Sequence, residues 1–198
     1  MEWFIFGGVV IWLAIVSWFD LRKGEVPHSA WVIVPLVFAG IYRAWQSDWQ
    51  LVVLAMLVAL VSERERITRW IHLEGAGRVI TWLPLVLLAL SWSAQQASIP
   101  ALSILGFWIA WELGWWGGAD AVSAIALTLA WPDNAFFIAF LGCHAIVAVG
   151  LMAFTYQREK KVKAHRIPGL PIMLLAVLCA RVIQLLLNYE ASRTFVLQ

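Results

Sequence analysis

The first apolar segment of the chain ends in Trp18-Phe19-Asp20-Leu21-Arg22-Lys23-Gly24-Glu25-Val26-Pro27-His28, where an aspartate is soon followed by two cations. A second aspartate closes Gly117-Gly118-Ala119-Asp120 and precedes the apolar run 121–131. A carboxylate is costly at membrane depth, so an aspartate at the edge of an apolar segment indicates function. Two carboxylates that share one proton are the minimum equipment of an aspartic protease. Asp20 and Asp120 are therefore the candidate catalytic residues.

The composition is that of a membrane protein. Of the 198 residues, 63% are hydrophobic and 13% are charged, and the mean hydropathy is +0.82. An ordinary soluble domain has about 25% charged residues. The apolar stretches recur with polar breaks that leave no room for a second, soluble domain, so we expect one membrane domain over residues 1–198. The net charge of +2 gives no indication of nucleic-acid binding.

The cysteines and the N-terminus exclude two further classes. Cys143 and Cys179 both lie within apolar segments, so we expect neither a disulfide framework nor a zinc site, and no metal or cofactor. Glu2 stands where a secretory signal has its basic region. The first segment is therefore expected to remain in the protein as a helix.

Eight apolar segments predict an all-α membrane helix bundle with about eight transmembrane helices, or six as the alternative. Several segments are shorter than the ~20 residues that span a bilayer. Short or tilted helices around a polar site, or interfacial half-helices, would account for these lengths. The segments are Trp3–Phe19, Ala30–Trp45, Trp49–Ser62, Val79–Trp92, Ile99–Leu113, Ala119–Trp131, Ala135–Tyr156 and Gly169–Leu187.

The distribution of Lys and Arg predicts which loops face the cytoplasm. With the N-terminus outside, eleven cations fall in cytoplasmic loops and two, Arg43 and Arg193, in outer segments, while Arg181 lies inside the last helix. The positive-inside rule favours this orientation. It also puts Asp20 and Asp120 at the same, cytoplasmic side of the membrane. The cytoplasmic cations are Arg22, Lys23, Arg64, Arg66, Arg69, Arg78, Arg158, Lys160, Lys161, Lys163 and Arg166.

A pair of close carboxylates can hydrolyse a peptide bond. Two carboxylates about 3 Å apart resist double ionisation, so one is ionised while the other is protonated. The ionised member takes a proton from water, and the protonated member donates to the oxyanion that develops on the carbonyl.

The residues around the second aspartate suit close approach of helices. Gly117, Gly118 and Ala119 remove side-chain bulk, as small residues do at helix contacts in membranes. Glu112 is placed to modulate the pair or to line a substrate groove, or alternatively to pair with a helix end. The alternative for the whole set is that the small residues only pack helices and that Asp20 is a polar loop residue.

Three stretches together resemble the prepilin and preflagellin peptidases. Asp20, followed by Arg22, Lys23, Pro27 and a polar His28, is similar to the first motif of that family. Gly117-Gly118-Ala119-Asp120 is similar to its Gly-x-Gly-Asp motif, with Ala in place of the second Gly. Ile167-Pro168-Gly169-Leu170-Pro171 resembles the proline-containing segment that precedes the last helix. Order and spacing agree over nearly the whole chain.

The resemblance implies an aspartic peptidase at the cytoplasmic face of a prokaryotic plasma membrane, with Asp20 and Asp120 as the dyad and no cofactor. Its partners would be membrane lipids and a membrane-anchored pilin-like or archaellin-like precursor, cleaved after a short basic leader. Many relatives have Lys two residues after the second aspartate, where this chain has Val122. The Cys-rich region of the bifunctional enzymes is absent from the sequence, so a peptidase-only form is expected. Presenilin-like enzymes come second within the class, because their first aspartate follows Tyr rather than Phe19.

Two other function classes remain as alternatives. A transporter would use the aspartates, with Glu112 and His144, as a proton or cation relay. It would be expected to contain inverted repeats, which the sequence does not indicate. A catalytically inactive membrane subunit of a secretion system is the other alternative.

Overall fold

The computed structural model describes residues 2–24, 26–27, 29–62, 99–159 and 169–196, and among these residues there is no β-strand. The predicted segment Val79–Trp92 lies outside them. Within the described ranges the prediction of an all-α fold is confirmed. The α-helices are α1 (Glu2–Lys23), α2 (Val34–Trp45), α3 (Trp49–Ser62), α4 (Ile99–Glu112), α5 (Gly118–Ala130), α6 (Asn134–Glu159) and α7 (Gly169–Val196), with a π-helical turn at Ser29–Ile33.

Three of the described helices are long and apolar enough to cross a membrane. Their apolar parts are Trp3–Lys23, Asn134–Leu151 and Gly169–Tyr189. The other apolar helices are shorter, at 10–17 residues. These lengths support a membrane protein, and the number of crossings stays a prediction.

Residue contacts divide the chain into two compact units. Unit 1 consists of Met1–Ile33 and Pro132–Gln198, and unit 2 of Val34–Trp131. All three long apolar helices belong to unit 1, where α7 packs against both α1 and α6. The prediction of a single domain over the whole chain stays a prediction.

The start of α6 has a defined cap and contributes to the core of unit 1. The Asp133 carboxylate accepts a hydrogen bond from the backbone N–H of Phe136 at 2.6 Å, and so satisfies a donor that the helix leaves unpaired. Phe136, Phe137 and Phe140 are buried and pack ring against ring. Aromatic side chains bury large apolar areas, so this cluster supplies much of the packing at this end of α6.

Helices α1 and α7 run antiparallel in unit 1. The guanidinium carbon of Arg181 lies 4.9 Å from the ring centroid of Trp3 and 5.5 Å from that of Phe6, so the start of α1 meets the middle of α7. The buried positions of α7 lie between 170 and 184, and residues 185–189 are all exposed. The buried part of α1 therefore packs beside the N-terminal half of α7. As a result, the end of α1 and the beginning of α7 lie at the same end of unit 1.

Helix α5 is the centre of unit 2. It packs against α2, α3 and α4, and residues 121–129 are buried with the exception of Val122. A helix that is apolar and buried all round belongs to an interior. Arg43, at the end of α2, donates from Nε to the carbonyl of Leu129 at 2.8 Å and from Nη2 to that of Ala130 at 3.4 Å. It thus satisfies carbonyls that the end of α5 leaves without helical partners.

Candidate active site

Asp20 lies on the inward-facing stripe of α1. Leu13, Val16, Ser17 and Asp20 follow the spacing of one helix face, and all four are buried. Asp20 is only 7% exposed, and it is the one carboxylate residue classed as buried among the residues that the structure describes. A buried carboxylate at the end of a membrane-length helix is costly without a purpose or a partner. The alternative that Asp20 is a polar loop residue is wrong, because Asp20 lies inside α1, and its catalytic role stays a prediction.

The chain turns back on α1 after Gly24, four residues beyond Asp20. Gly24 ends the helix with φ +65°, a conformation that other residues adopt only under strain. The indole N–H of Trp12 then donates to the carbonyl of Trp31 at 2.8 Å, and the rings of Phe19 and Trp31 lie 5.8 Å apart. The π-helical turn is therefore held along α1 between Trp12 and Phe19, beside the stripe that carries Asp20.

The basic residues that follow Asp20 lie at the surface. The Arg22 guanidinium lies over the Trp18 ring at 4.3 Å, and the Lys23 ammonium is 5.7 Å from the Phe19 ring centroid. Both side chains are exposed, as is Pro27, whose carbonyl accepts the N–H of Trp31. Such contacts orient two cations at the end of α1 without burying their charge.

The turn between α4 and α5 is a complete Schellman motif. The N–H of Gly114 donates to the carbonyl of Trp111 at 2.9 Å, and that of Trp115 donates to the carbonyl of Ala110 at 2.8 Å. Gly114 has φ +72°, as this motif requires. Trp116 then stacks on Phe107 of α4, with ring centroids 5.2 Å apart. Glu112, the last residue of α4, is exposed just before this turn.

Gly117 and Gly118 are the two glycines with a close neighbour among those whose surroundings are described. A Cβ atom at position 117 would lie 2.9 Å from Oδ2 of Asp120, and one at 118 would lie 3.3 Å from Nε1 of Trp111. At the other described glycine positions a Cβ would meet nothing within 4 Å. Gly117 therefore leaves room for the Asp120 carboxylate, and Gly118 leaves room for the Trp111 indole.

Asp120 lies in the first turn of α5. Gly117 caps the helix in an extended conformation, with φ −70° and ψ 150°, so Asp120 is its third residue. The first turn of a helix carries partial positive charge from its unpaired N–H groups, which stabilises an anion there. The side chain of Asp120 is half-buried, and Ala119 beside it adds no bulk.

The structure brings the predicted residues together in two groups. Asp20, Arg22, Lys23 and Pro27 lie at one end of unit 1, and the antiparallel packing of α1 and α7 brings Pro171, in the first turn of α7, toward the same end. The other group, in unit 2, consists of Glu112, Gly117, Gly118, Ala119 and Asp120. Pro168 lies outside the described residues. Because the aspartates belong to different units, their convergence stays a prediction.

Two serines near the aspartates were not indicated by the sequence reasoning. Ser17 and Ser123 are buried, and their hydroxyl oxygens have no hydrogen-bond partner among the described residues. Each stands three residues from one of the aspartates, a spacing that could have been noticed in the sequence. Nothing in the sequence distinguishes them from hydroxyls that bond to their own helix.

Comparison of the chain with protein-family models, with curated proteins and with solved structures finds no match.

Proposed function

We propose that this protein is a membrane aspartic endopeptidase of the prepilin peptidase type, with Asp20 and Asp120 as its catalytic dyad. It removes the short basic leader of membrane-anchored pilin-like or archaellin-like precursors. The reaction takes place at the cytoplasmic face of a prokaryotic plasma membrane. The proposed topology has the N-terminus outside and about eight crossings.

The packing of Gly117 against the Asp120 carboxylate is the observation that carries the proposal. A side chain as small as Ala at 117 would approach Oδ2 to 2.9 Å, so the glycine of the motif is tied to the position of this oxygen. The burial of Asp20 on the inward stripe of α1 is independent support from the other unit.

The environment of Asp120 suits it to the role of the base. The first turn of α5 stabilises a negative charge, so the ionised Asp120 takes a proton from water as that water attacks the peptide carbonyl. Asp20 is then the protonated member and donates to the carbonyl oxygen, which gives a neutral tetrahedral diol. Asp120 passes its proton to the leaving amine, and Asp20 recovers one from the diol as the bond breaks.

The proposed substrate has a basic leader and then an apolar helix. The apolar part lies among the helices of the enzyme, while the leader remains at the cytoplasmic surface. Glu112 is exposed at the end of α4, five residues before Gly117, and supplies a negative charge for a basic leader. Arg22 and Lys23 lie at the end of α1 and keep this end of the protein at the cytoplasmic face.

Cleavage of a pilin-like precursor in membranes tests the proposal. Wild type should release the leader, and Asp20→Asn and Asp120→Asn should each abolish cleavage while the protein stays inserted and folded. Asp133→Asn is the matched control, because asparagine caps a helix as well as aspartate does and this variant should cleave normally.

Two results would contradict the proposal. Cleavage that persists in a folded Asn variant would show that the aspartates are not the catalysts. A wild-type protein that cleaves none of several precursors with different leaders would favour the transport or inactive-subunit alternatives.

A further inference from the structure

The two cysteines of the chain lie next to each other in unit 1. Cys143 belongs to α6 and Cys179 to α7, and these two helices pack against each other. A side-chain hydrogen bond links the two thiols, although the cysteines are 36 residues apart along the chain (179 − 143). Both are free cysteines. Their positions in the sequence do not indicate this pairing, because it depends on how the two helices pack.

The position of each cysteine on its helix agrees with this contact. Cys143 stands three residues after the buried Phe140, and Cys179 stands three residues after the buried Ala176. Since residues three apart share a helix face, each cysteine continues a face that packs inside unit 1. Cys143 is half-buried and Cys179 is exposed, so the pair lies at the edge of the contact between the helices. A disulfide requires two side chains that point toward each other, as thiols that hydrogen-bond to each other do.

The pair also lies at the middle of two membrane-length helices. Cys143 is the tenth of the 18 residues of the apolar span Asn134–Leu151, and Cys179 is the eleventh of the 21 residues of Gly169–Tyr189. In a bilayer both thiols are therefore expected near the centre of the hydrocarbon core, about 15 Å from either of its surfaces. A charged, water-soluble oxidant is costly to bring to that depth, whereas a quinone with an apolar tail dissolves there. The exposure of Cys179 gives such a quinone access to one sulfur.

We propose that Cys143 and Cys179 form a redox modification site, at which a lipid-soluble quinone oxidises the two thiols to a disulfide. Both S–H bonds break and one S–S bond forms. Two electrons and two protons pass to the quinone, which leaves as the quinol. The new bond joins α6 to α7 at mid-span, and a dithiol reductant restores the free cysteines by exchange. The inference goes beyond the proposed peptidase function and does not depend on it.

The test counts free thiols in the full-length protein, held in phospholipid vesicles under nitrogen. After treatment with decylubiquinone the protein is denatured and labelled with a maleimide, and the intact masses are compared. Wild type should lose both labels and the mass of two hydrogen atoms, and dithiothreitol should restore both labels. Oxidised glutathione, which is charged, should act at least about 10-fold more slowly, because access limits thiol oxidation. The melting temperature of wild type should rise on oxidation, because a cross-link restricts the unfolded chain.

Single variants separate a disulfide from other thiol chemistry. Cys143→Ser and Cys179→Ser each keep one thiol, and this thiol should still be labelled after the quinone, with no change in melting temperature. Loss of that label would overturn the inference, because the quinone would then modify single cysteines.

Three results with wild type would also overturn the inference. The first is retention of both labels after the quinone, and the second is a disulfide-linked dimer, in which Cys179 pairs with a second copy of the chain. The third is oxidation at equal rates by the quinone and by oxidised glutathione, since the pair would then be open to water. None of these measurements uses cleavage, so failure of the proposed peptidase function would leave them unchanged.

Discussion

Replacement of Gly117 by alanine tests whether the position of the Asp120 carboxylate matters. The added Cβ would lie 2.9 Å from Oδ2, whereas ordinary contacts begin at 3.4 Å, so the oxygen must move by about 0.5 Å (3.4 − 2.9). The backbone needs no change, because φ −70° and ψ 150° are accessible to alanine. The substitution therefore moves one carboxylate and little else.

The expected effects on activity and on stability differ in size. A misplacement of about 1 Å at a catalytic group lowers the rate by about 100-fold, so a shift of half that size should lower kcat by about 10-fold. The free energy of unfolding should change by less than about 1 kcal/mol. A small rotamer cost of about 0.5–1.5 kcal/mol is offset by the ~0.4–1 kcal/mol gained when alanine restricts the unfolded chain.

The assay is cleavage of the pilin-like precursor, with thermal unfolding of the same preparations. Two other glycines of unit 2 complete a graded series. At Gly118 the added Cβ would lie only 0.1 Å closer to Nε1 of Trp111 than an ordinary contact allows (3.4 − 3.3). Gly118→Ala should therefore have a smaller effect. At Gly106, in α4, the added Cβ meets nothing within 4 Å. Gly106→Ala should therefore cleave normally and gain up to about 1 kcal/mol of stability.

The order of the three variants decides the question. If Gly117→Ala cleaves as fast as wild type, the carboxylate beside it does not need that position, and Asp120 is not the base. If Gly106→Ala is as slow as Gly117→Ala, the loss belongs to unit 2 as a whole and not to the catalytic residue.

Two further substitutions test how α5 is held. Gly114→Ala should lower the free energy of unfolding by about 1–2 kcal/mol, because φ +72° is strained for alanine, while Gly114→Asn should lower it less, and chemical denaturation measures both. Arg43→Ala should remove about 1.5–3 kcal/mol, the usual value of hydrogen bonds to a charged group, and should lower the melting temperature. Arg43→Lys keeps the charge but cannot donate to both carbonyls as the guanidinium does, so its melting temperature should lie between those of wild type and Arg43→Ala. Equal melting temperatures in all three proteins would contradict the capping role.

The helices could be predicted where hydropathy and helix breakers coincide. The sequence predicts α3 to the residue, as Trp49–Ser62, and places both ends of α4 and α5 within one residue. Prediction is poorer for the end of α1, because the apolar stretch ends at Phe19 whereas the helix continues to Lys23. Backbone hydrogen bonds form whether the side chains are polar or apolar. Helix α1 therefore ends only where Gly24 takes a positive φ.

The site could be predicted as residue types but not as contacts. Small residues before Asp120 indicate close approach, and the structure adds that the neighbours are a carboxylate and an indole. The partners of Arg43 are 86 and 87 residues away along the chain, and no local pattern predicts such a pairing. Similarly, Ser17 and Ser123 are distinguished from hydroxyls that bond to their own helix only by the packing around them.

In the proposed topology, the short helices of unit 2 have a consequence for the lipid around them. The described helices α2 to α5 have 12–14 residues and are therefore about 18–21 Å long, against a hydrocarbon core of about 30 Å. In a bilayer such a mismatch is relieved by local thinning, which draws the headgroups and their water inward. Hydrolysis consumes one water for each bond broken, and acyl chains supply none. Thinning at the N-terminus of α5 would bring that water to Asp120, so the rate of the proposed reaction should fall as the lipid chains are lengthened.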